Sequence, residues 1–326
     1  MSCERMLVGV DFRQPSLAAA KWAVANFGNT AAIELVHVYP RARIPGFLRP
    51  VVPPLDEFLG ISVAGRLSGL RAFADTLDTD KVTTHVRVGD PVSQLSERAR
   101  ASSASFMVLG RTQESGARGR TLDRLIRGVN LPVVVIGKDA GHAPRQILVA
   151  LDDAPVSAKL IRRAAILEER FDARLTLMHV LGDGVISVGE APADRRVETR
   201  SIQLEVNLNR THAWMKELYH KATGKPFRGR TTVAIGTAGP AILQHLRSAG
   251  ANMVMVGRTG RHAAGGLGTV TRLLLRAAGM PVTVIPATAG PAPEKQPEVP
   301  PEAATDPAAI VYAEAEVFGT LPSVRM

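Results

Sequence analysis

Two tandem α/β domains, each a doubly wound parallel sheet of five strands, are the fold this sequence predicts. Three observations lead there. The chain repeats itself at a spacing that drifts from 141 to 149 residues. Inside each repeat, short apolar runs alternate with amphipathic stretches. Those runs are nearly continuous in apolar content rather than alternating, as strands covered on both faces must be. At 326 residues the chain has the length for two packed cores.

The elements follow in order. MLVGV (6–10) and ILVAL (147–151) are first strands, followed by Asp11 and Asp152 and by helices from about Ser16 and Ser157. Second strands end in LVHV at Val38 and LMHV at Val180. Less similar middles follow, at 40–80 and 181–225, with helical spacing in Val63, Leu67, Leu70, Ala74 and Leu77. The third strands, THVRVG and TTVAIG, lead into helices after Pro91 and Pro240. FMVLG and NMVMVG are fourth strands, ending at Gly110 and Gly257. A Gly-rich loop, a helix and a β-branched strand (VVVI after Pro132, VTVI after Pro281) close each repeat. The domains predicted are 1–140, 141–286, and a tail at 287–326. That tail holds seven prolines and has a net charge of −4, which leaves +14 on residues 1–286. It reads as extended, mobile chain, although the patch IVYAEAEVF (310–318) can fold back on a domain or dock on a partner.

Composition excludes several classes. No apolar run approaches the roughly 20 residues of a membrane span, and MSCERMLVGVDF lacks a signal-peptide core. One cysteine, Cys3, permits neither an intrachain disulfide nor a cysteine zinc site. The expectation is therefore a cytoplasmic protein. Of 40 basic residues only eight are lysine, and arginine suits phosphate partners. Nucleic acid is nevertheless disfavoured, because the arginines are scattered and aromatics make up 4% of the chain.

Ligands of an open parallel sheet bind at the carboxyl ends of the strands, where strand order reverses. In the second repeat these positions hold Asp152 and the loop GRTGRHAAGGLGTVTRLLLR, with Gly257, Gly260, Gly265, Gly266, Gly268 and then Thr269. Glycines let backbone amides approach an anion, and a helix N-terminus adds partial positive charge. Arg258, Arg261 and Thr269 add donors, and Asp152 can accept from ribose hydroxyls or an adenine amine. A merely flexible connection explains such a loop equally well. His37 and His179 occupy equivalent strand ends and read as packing or as a hydrogen bond at the crevice rim. Asp153 reads as a helix cap rather than a magnesium ligand. There is no P-loop, no G-x-S-x-G elbow and no H-E-x-x-H, and no catalytic residue is assigned.

At these residues the chain resembles the universal stress protein family in its tandem form. The resemblance covers nearly all of residues 5–286. The family signature is G-x2-G-x9-G-(S/T), and the second repeat gives Gly257-Arg-Thr-Gly260 and then Gly268-Thr269-Val270, with a spacer two residues short. The resemblance implies an adenine-nucleotide alpha-hydrolase-like fold, with ATP, with or without Mg2+, as the ligand. It assigns nucleotide contact to Asp152, Val180, Gly257, Arg258, Gly260, Gly268, Thr269 and Val270. It also implies that the two repeats pair through their last strands as a pseudo-twofold dimer, with further homodimerisation open. The first repeat departs further: Asp11 and Gly110 stand, but Gln113 replaces the second glycine and Gly119 is followed by Arg120. It reads as a degenerate site; the competing reading is an anion site on Arg111, Arg118 and Arg120. The function expected is a stress-response protein that binds ATP in its second domain without efficient catalysis. The alternatives are a slow ATPase or other nucleotide-using enzyme on the same fold, or a non-nucleotide scaffold for an apolar ligand or a protein.

Overall fold

The computed structural model describes residues 4–40, 55–111, 117–137, 143–182, 196–258, 267–287 and 312–315. Two compact units emerge, and they do not coincide with the sequence repeats. One holds residues 1–143 and 262–288; the other holds 144–261 and 289–326.

The first unit contains β1 (Glu4–Gly9), α1 (Gln14–Phe27), β2 (Ala31–Tyr39), α2 (Leu55–Ala74), β3 (Val82–Val88), α3 (Pro91–Ala101), β4 (Phe106–Gly110), α4 (Ala117–Gly128) and β5 (Val133–Ile136). β1 lies between β2 and β4, β3 extends the sheet beyond β2, and β5 beyond β4, all in parallel. A second strand-and-helix pair completes this unit, described below with its own ranges. Met6, Leu7, Val8, Ile33, Leu35, Met107, Val108 and Val135 are each at most 1% exposed, which explains why these strands carry no polar face. Each such side chain contributes roughly 1.5–3 kcal/mol by leaving water. Glu34 is buried on β2, and it is paired as a buried charge must be: Arg98 Nε donates to its Oε2 at 2.9 Å, while Arg98 Nη2 lies 2.9 Å from His85 Nε2.

The second unit repeats the pattern with β6 (Gln146–Leu151), α5 (Val156–Phe171), β7 (Arg174–Leu181), α6 (Arg196–Thr223), β8 (Arg230–Ile235), α7 (Ala238–Ser248) and β9 (Met253–Gly257). β6 lies between β7 and β9, with β8 beyond β7, again in parallel. The next elements in the chain, α8 (Thr269–Ala277) and β10 (Val282–Ile285), belong by sequence to the second repeat. In space they group with the first unit, where β10 runs antiparallel to β5, Val284 opposite Val133. Part of the tail folds back on a domain, the alternative to a wholly extended chain. Within IVYAEAEVF, β11 (Tyr312–Ala315) runs antiparallel along β8, Tyr312 opposite Ala234.

The duplication extends to backbone detail. After β3 and β8 the chain turns through Gly89 (φ 142°) and Gly236 (φ 118°), values closed to most side chains. Their amides donate to Tyr39 O at 2.9 Å and Leu181 O at 2.8 Å. The pair VGD and IGT in the sequence is thus the same turn made twice.

Candidate functional site

In the second unit the chain runs β6, β7, β8 toward one side of β6, then crosses to β9 on the other. The reversal opens a crevice at the carboxyl ends of β6 and β9. Asp152 follows β6 there. Its Oδ1 accepts from the Ala154 amide at 3.1 Å and lies 3.1 Å from Ser157 Oγ, which itself sits 2.6 Å from Asp152 O. Ser157 is 2% exposed, so the carboxylate is anchored from beneath and its Oδ2 accepts no bond from any described residue. The first unit builds the same device. Asp11 Oδ1 accepts from Ser16 Oγ at 2.6 Å and from the Arg13 amide at 3.0 Å. The matched Asp and Ser of the two repeats are therefore partners, not separate features.

Val180 lies half-buried near the end of β7, opposite Ala234 of β8. Beside it, His179 Nδ1 is 2.9 Å from Leu151 O, as His37 Nδ1 is 2.7 Å from Val10 O. A carbonyl only accepts, so Nδ1 carries the proton and donates in both rings. The hydrogen bond at the crevice rim is borne out. Burial holds both imidazoles below their usual pKa, against the opposing pull of those backbone bonds. Their surroundings differ. His179 meets Trp214 of α6 edge-on at 5.1 Å, whereas His37 meets Phe12 at 4.7 Å. Phe12 holds a left-handed backbone (φ 62°), a strained state for so bulky a residue. The Arg66 guanidinium covers its ring at 5.6 Å.

Gly257 ends β9 and Arg258 follows it. Burial lowers the pKa of Arg258, and of Lys159 in the first turn of α5, where Arg163, Arg258 and Arg162 act in the same direction. Positive charge is therefore gathered at the carboxyl end of this sheet. Lys159 was not legible in the repeat, since the first copy has Ala18 in its place; only its position one turn into the helix after Asp152 marks it. Gly268 caps α8 without a side-chain bond, Thr269 opens that helix and Val270 follows; the Arg272 amide donates to Gly268 O at 2.9 Å. These three residues are counted with the first compact unit. Gly260, Arg261, Gly265, Gly266 and Gln113 lie outside the described residues.

In the first unit Gly110 ends β4 against the start of α1. A Cβ there would come within 2.5 Å of Pro15 O and Ser16 N, so this glycine is required by packing. Gly119 was expected in the loop before the last helix. It lies instead inside the first turn of α4, which starts at Ala117. Arg111 is 7% exposed and donates through Nη1 to Ala278 O and through Nη2 to Met280 O at 2.9 Å. Both carbonyls follow the end of α8, so Arg111 serves as a C-terminal cap for that helix and is not available to an anion.

The profile of the universal stress protein family matches residues 3–137 and, a second time, residues 144–286. The chain belongs to the universal stress protein family. Solved structures agree on the fold. A universal stress protein from Archaeoglobus fulgidus DSM 4304 matches with a TM-score of 0.58 at 17% identity, over 88% of this chain and 97% of that one. A functionally unknown protein from Pseudomonas aeruginosa PAO1 matches with a TM-score of 0.55 at 13% identity, over 87% and 93%. A universal stress protein solved in complex with cAMP is 20% identical over 43% of this chain and 100% of that one, at a TM-score of 0.31 too low to extend its ligand here. A search of curated protein sequences gives no match. In this universal stress protein, no described helix is long and apolar enough to cross a membrane. Among the described residues no group of three His, Cys, Asp or Glu side chains is placed to hold a metal ion.

Proposed function

We propose that this universal stress protein binds an adenine nucleotide, ATP, through its second repeat, and acts in the cytoplasm by binding rather than by efficient catalysis. The domains in this reading are residues 1–140, 141–286 and a tail at 287–326. One observation carries it: Asp152, anchored through one oxygen with the other uncommitted, stands at the strand-order reversal of a sheet whose end gathers Lys159 and Arg258. A carboxylate that accepts from a nucleoside, beside cations that attract phosphates, is the chemistry a nucleotide needs. Asp152 and Val180 take the nucleoside in this proposal. Gly257, Gly260, Gly268 and Thr269 take the phosphates, with Arg258 and Val270 adjoining. Magnesium enters as the counter-ion of the triphosphate, the usual way it reaches such sites.

The test is mass spectrometry of small molecules released by denaturation, followed by calorimetric titration with ATP and magnesium. The expected result is one nucleotide per chain, lost in Gly260→Val and Gly268→Val while the circular dichroism spectrum and melting curve are kept. Two per chain would mean that the first repeat also works. No bound nucleotide and no binding heat would overturn the reading in favour of an apolar-ligand or protein scaffold.

A further inference from the structure

His179 and Asp152 stand on neighbouring strand ends: Leu151, the residue before Asp152, is directly opposite His179 in the β6–β7 register. The carbonyl of that same Leu151 fixes the imidazole tautomer by taking the Nδ1 proton in a 2.9 Å hydrogen bond. Nε2 is then a lone-pair acceptor, and no described residue donates to it. The ring cannot turn to hide that lone pair without giving up its bond to Leu151, and Trp214 of α6 closes in at 5.1 Å, edge-on. Nε2 of His179 and Oδ2 of Asp152 are thus both acceptors to which no described residue donates, on the ends of neighbouring strands. An acceptor placed in this way takes its hydrogen bond from water or from a ligand that displaces the water.

We infer that His179 is a specificity-determining ligand contact, whose Nε2 accepts a hydrogen bond from a donor group of the bound nucleoside. This rests on the nucleotide reading above. Two nucleoside groups have the required chemistry, the exocyclic amine of adenine and a ribose hydroxyl. A guanine base, which offers a carbonyl oxygen in place of that amine, would set acceptor against acceptor. The first repeat supplies an internal control, because His37 makes the same backbone bond but is 7% exposed under Phe12.

The experiment is calorimetric titration of the full chain and of His179→Asn with ATP, 2′-deoxy-ATP and inosine triphosphate. Asparagine keeps a donor where Nδ1 was, so the bond to Leu151 O survives, and it removes Nε2. The expected result is an ATP Kd about tenfold higher in His179→Asn, with an unchanged melting temperature and no change in His37→Asn. The loss should vanish with whichever analogue lacks the donor, inosine triphosphate for the amine or 2′-deoxy-ATP for the hydroxyl. Affinity of the parent should also weaken as pH falls below the ordinary histidine range, since burial lowers the pKa of His179 and a protonated Nε2 donates instead of accepting. Asp152 is the charged group acting on the ring, and His179→Asn, which lacks the imidazole, should show no such slope. Unchanged ATP affinity in the variant, or an equal loss with all three ligands, would overturn the inference while leaving the nucleotide reading intact. A parent chain that binds none of the three would overturn both.

Discussion

Gly110 and Gly257 look like one motif letter in the two repeats, and at Gly110 the physical reason is packing. β4 ends so close to the start of α1 that a methyl group would collide with backbone atoms of Pro15 and Ser16, which cannot swing aside as a side chain can. Gly110→Ala should therefore cost about 2 kcal/mol or more in urea denaturation, far above the change expected from ordinary glycine replacement. A midpoint equal to that of the parent would mean the strand end relaxes freely. The same pair shows what sequence could reveal at this scale. Asp11 with Ser16 and Asp152 with Ser157 recur at one offset, so their kinship was visible, but not that each serine hydroxyl grips its own aspartate. Lys159 was invisible because repetition highlights what two copies share, and Ala18 shares nothing with it. Arg111 and Arg258 read identically as GRT; only the hydrogen bonds of the folded chain reveal that Arg111 is committed to the end of a helix.

Among the elements, α8 depends on a side chain distant in sequence. Its closing carbonyls, Ala278 O and Met280 O, accept from the Arg111 guanidinium. Arg111→Ala should leave those acceptors buried and unpaired and lower stability by about 2–4 kcal/mol, without changing nucleotide stoichiometry. Arg111→Lys should recover only part of the loss, since an ammonium cannot span two carbonyls as a planar fork does. A larger effect on ligand binding than on melting would return Arg111 to the ligand. Strands and helices were legible almost throughout, because burial on both faces writes a continuous apolar run that neither loop nor exposed helix needs. Two details were less legible. α4 opens at Ala117, so Gly119 falls in its first turn, since a glycine there gives the same local signal as one preceding the helix. The patch 310–318 reads as able to fold back on a domain, but its strand state could not be read because YAEA needs the edge of β8 to become a strand.

For the whole molecule, protonation links the scattered histidines. His37, His85, His179 and His212 all have pKa values lowered first of all by burial. The unfolded chain, with its histidines near the ordinary value of about 6.5, binds protons more readily than the folded chain. Stability is therefore fully present above that value and is lost as pH falls through the lowered folded values. The melting temperature should be flat between pH 7 and 8 and fall as the pH drops below the ordinary histidine value. A curve level down to pH 5 would show that these rings titrate normally. The passage of α8 and β10 into the first compact unit bears on a different matter, the inheritance of the duplicated gene. A chain ended at residue 140 would keep β5, whose four residues are all buried, while losing the strand laid against it. The bare edge would be open to pairing with another chain. A stop codon between the repeats would thus leave an uncovered strand, which favours keeping both copies of the gene once the chain folds this way.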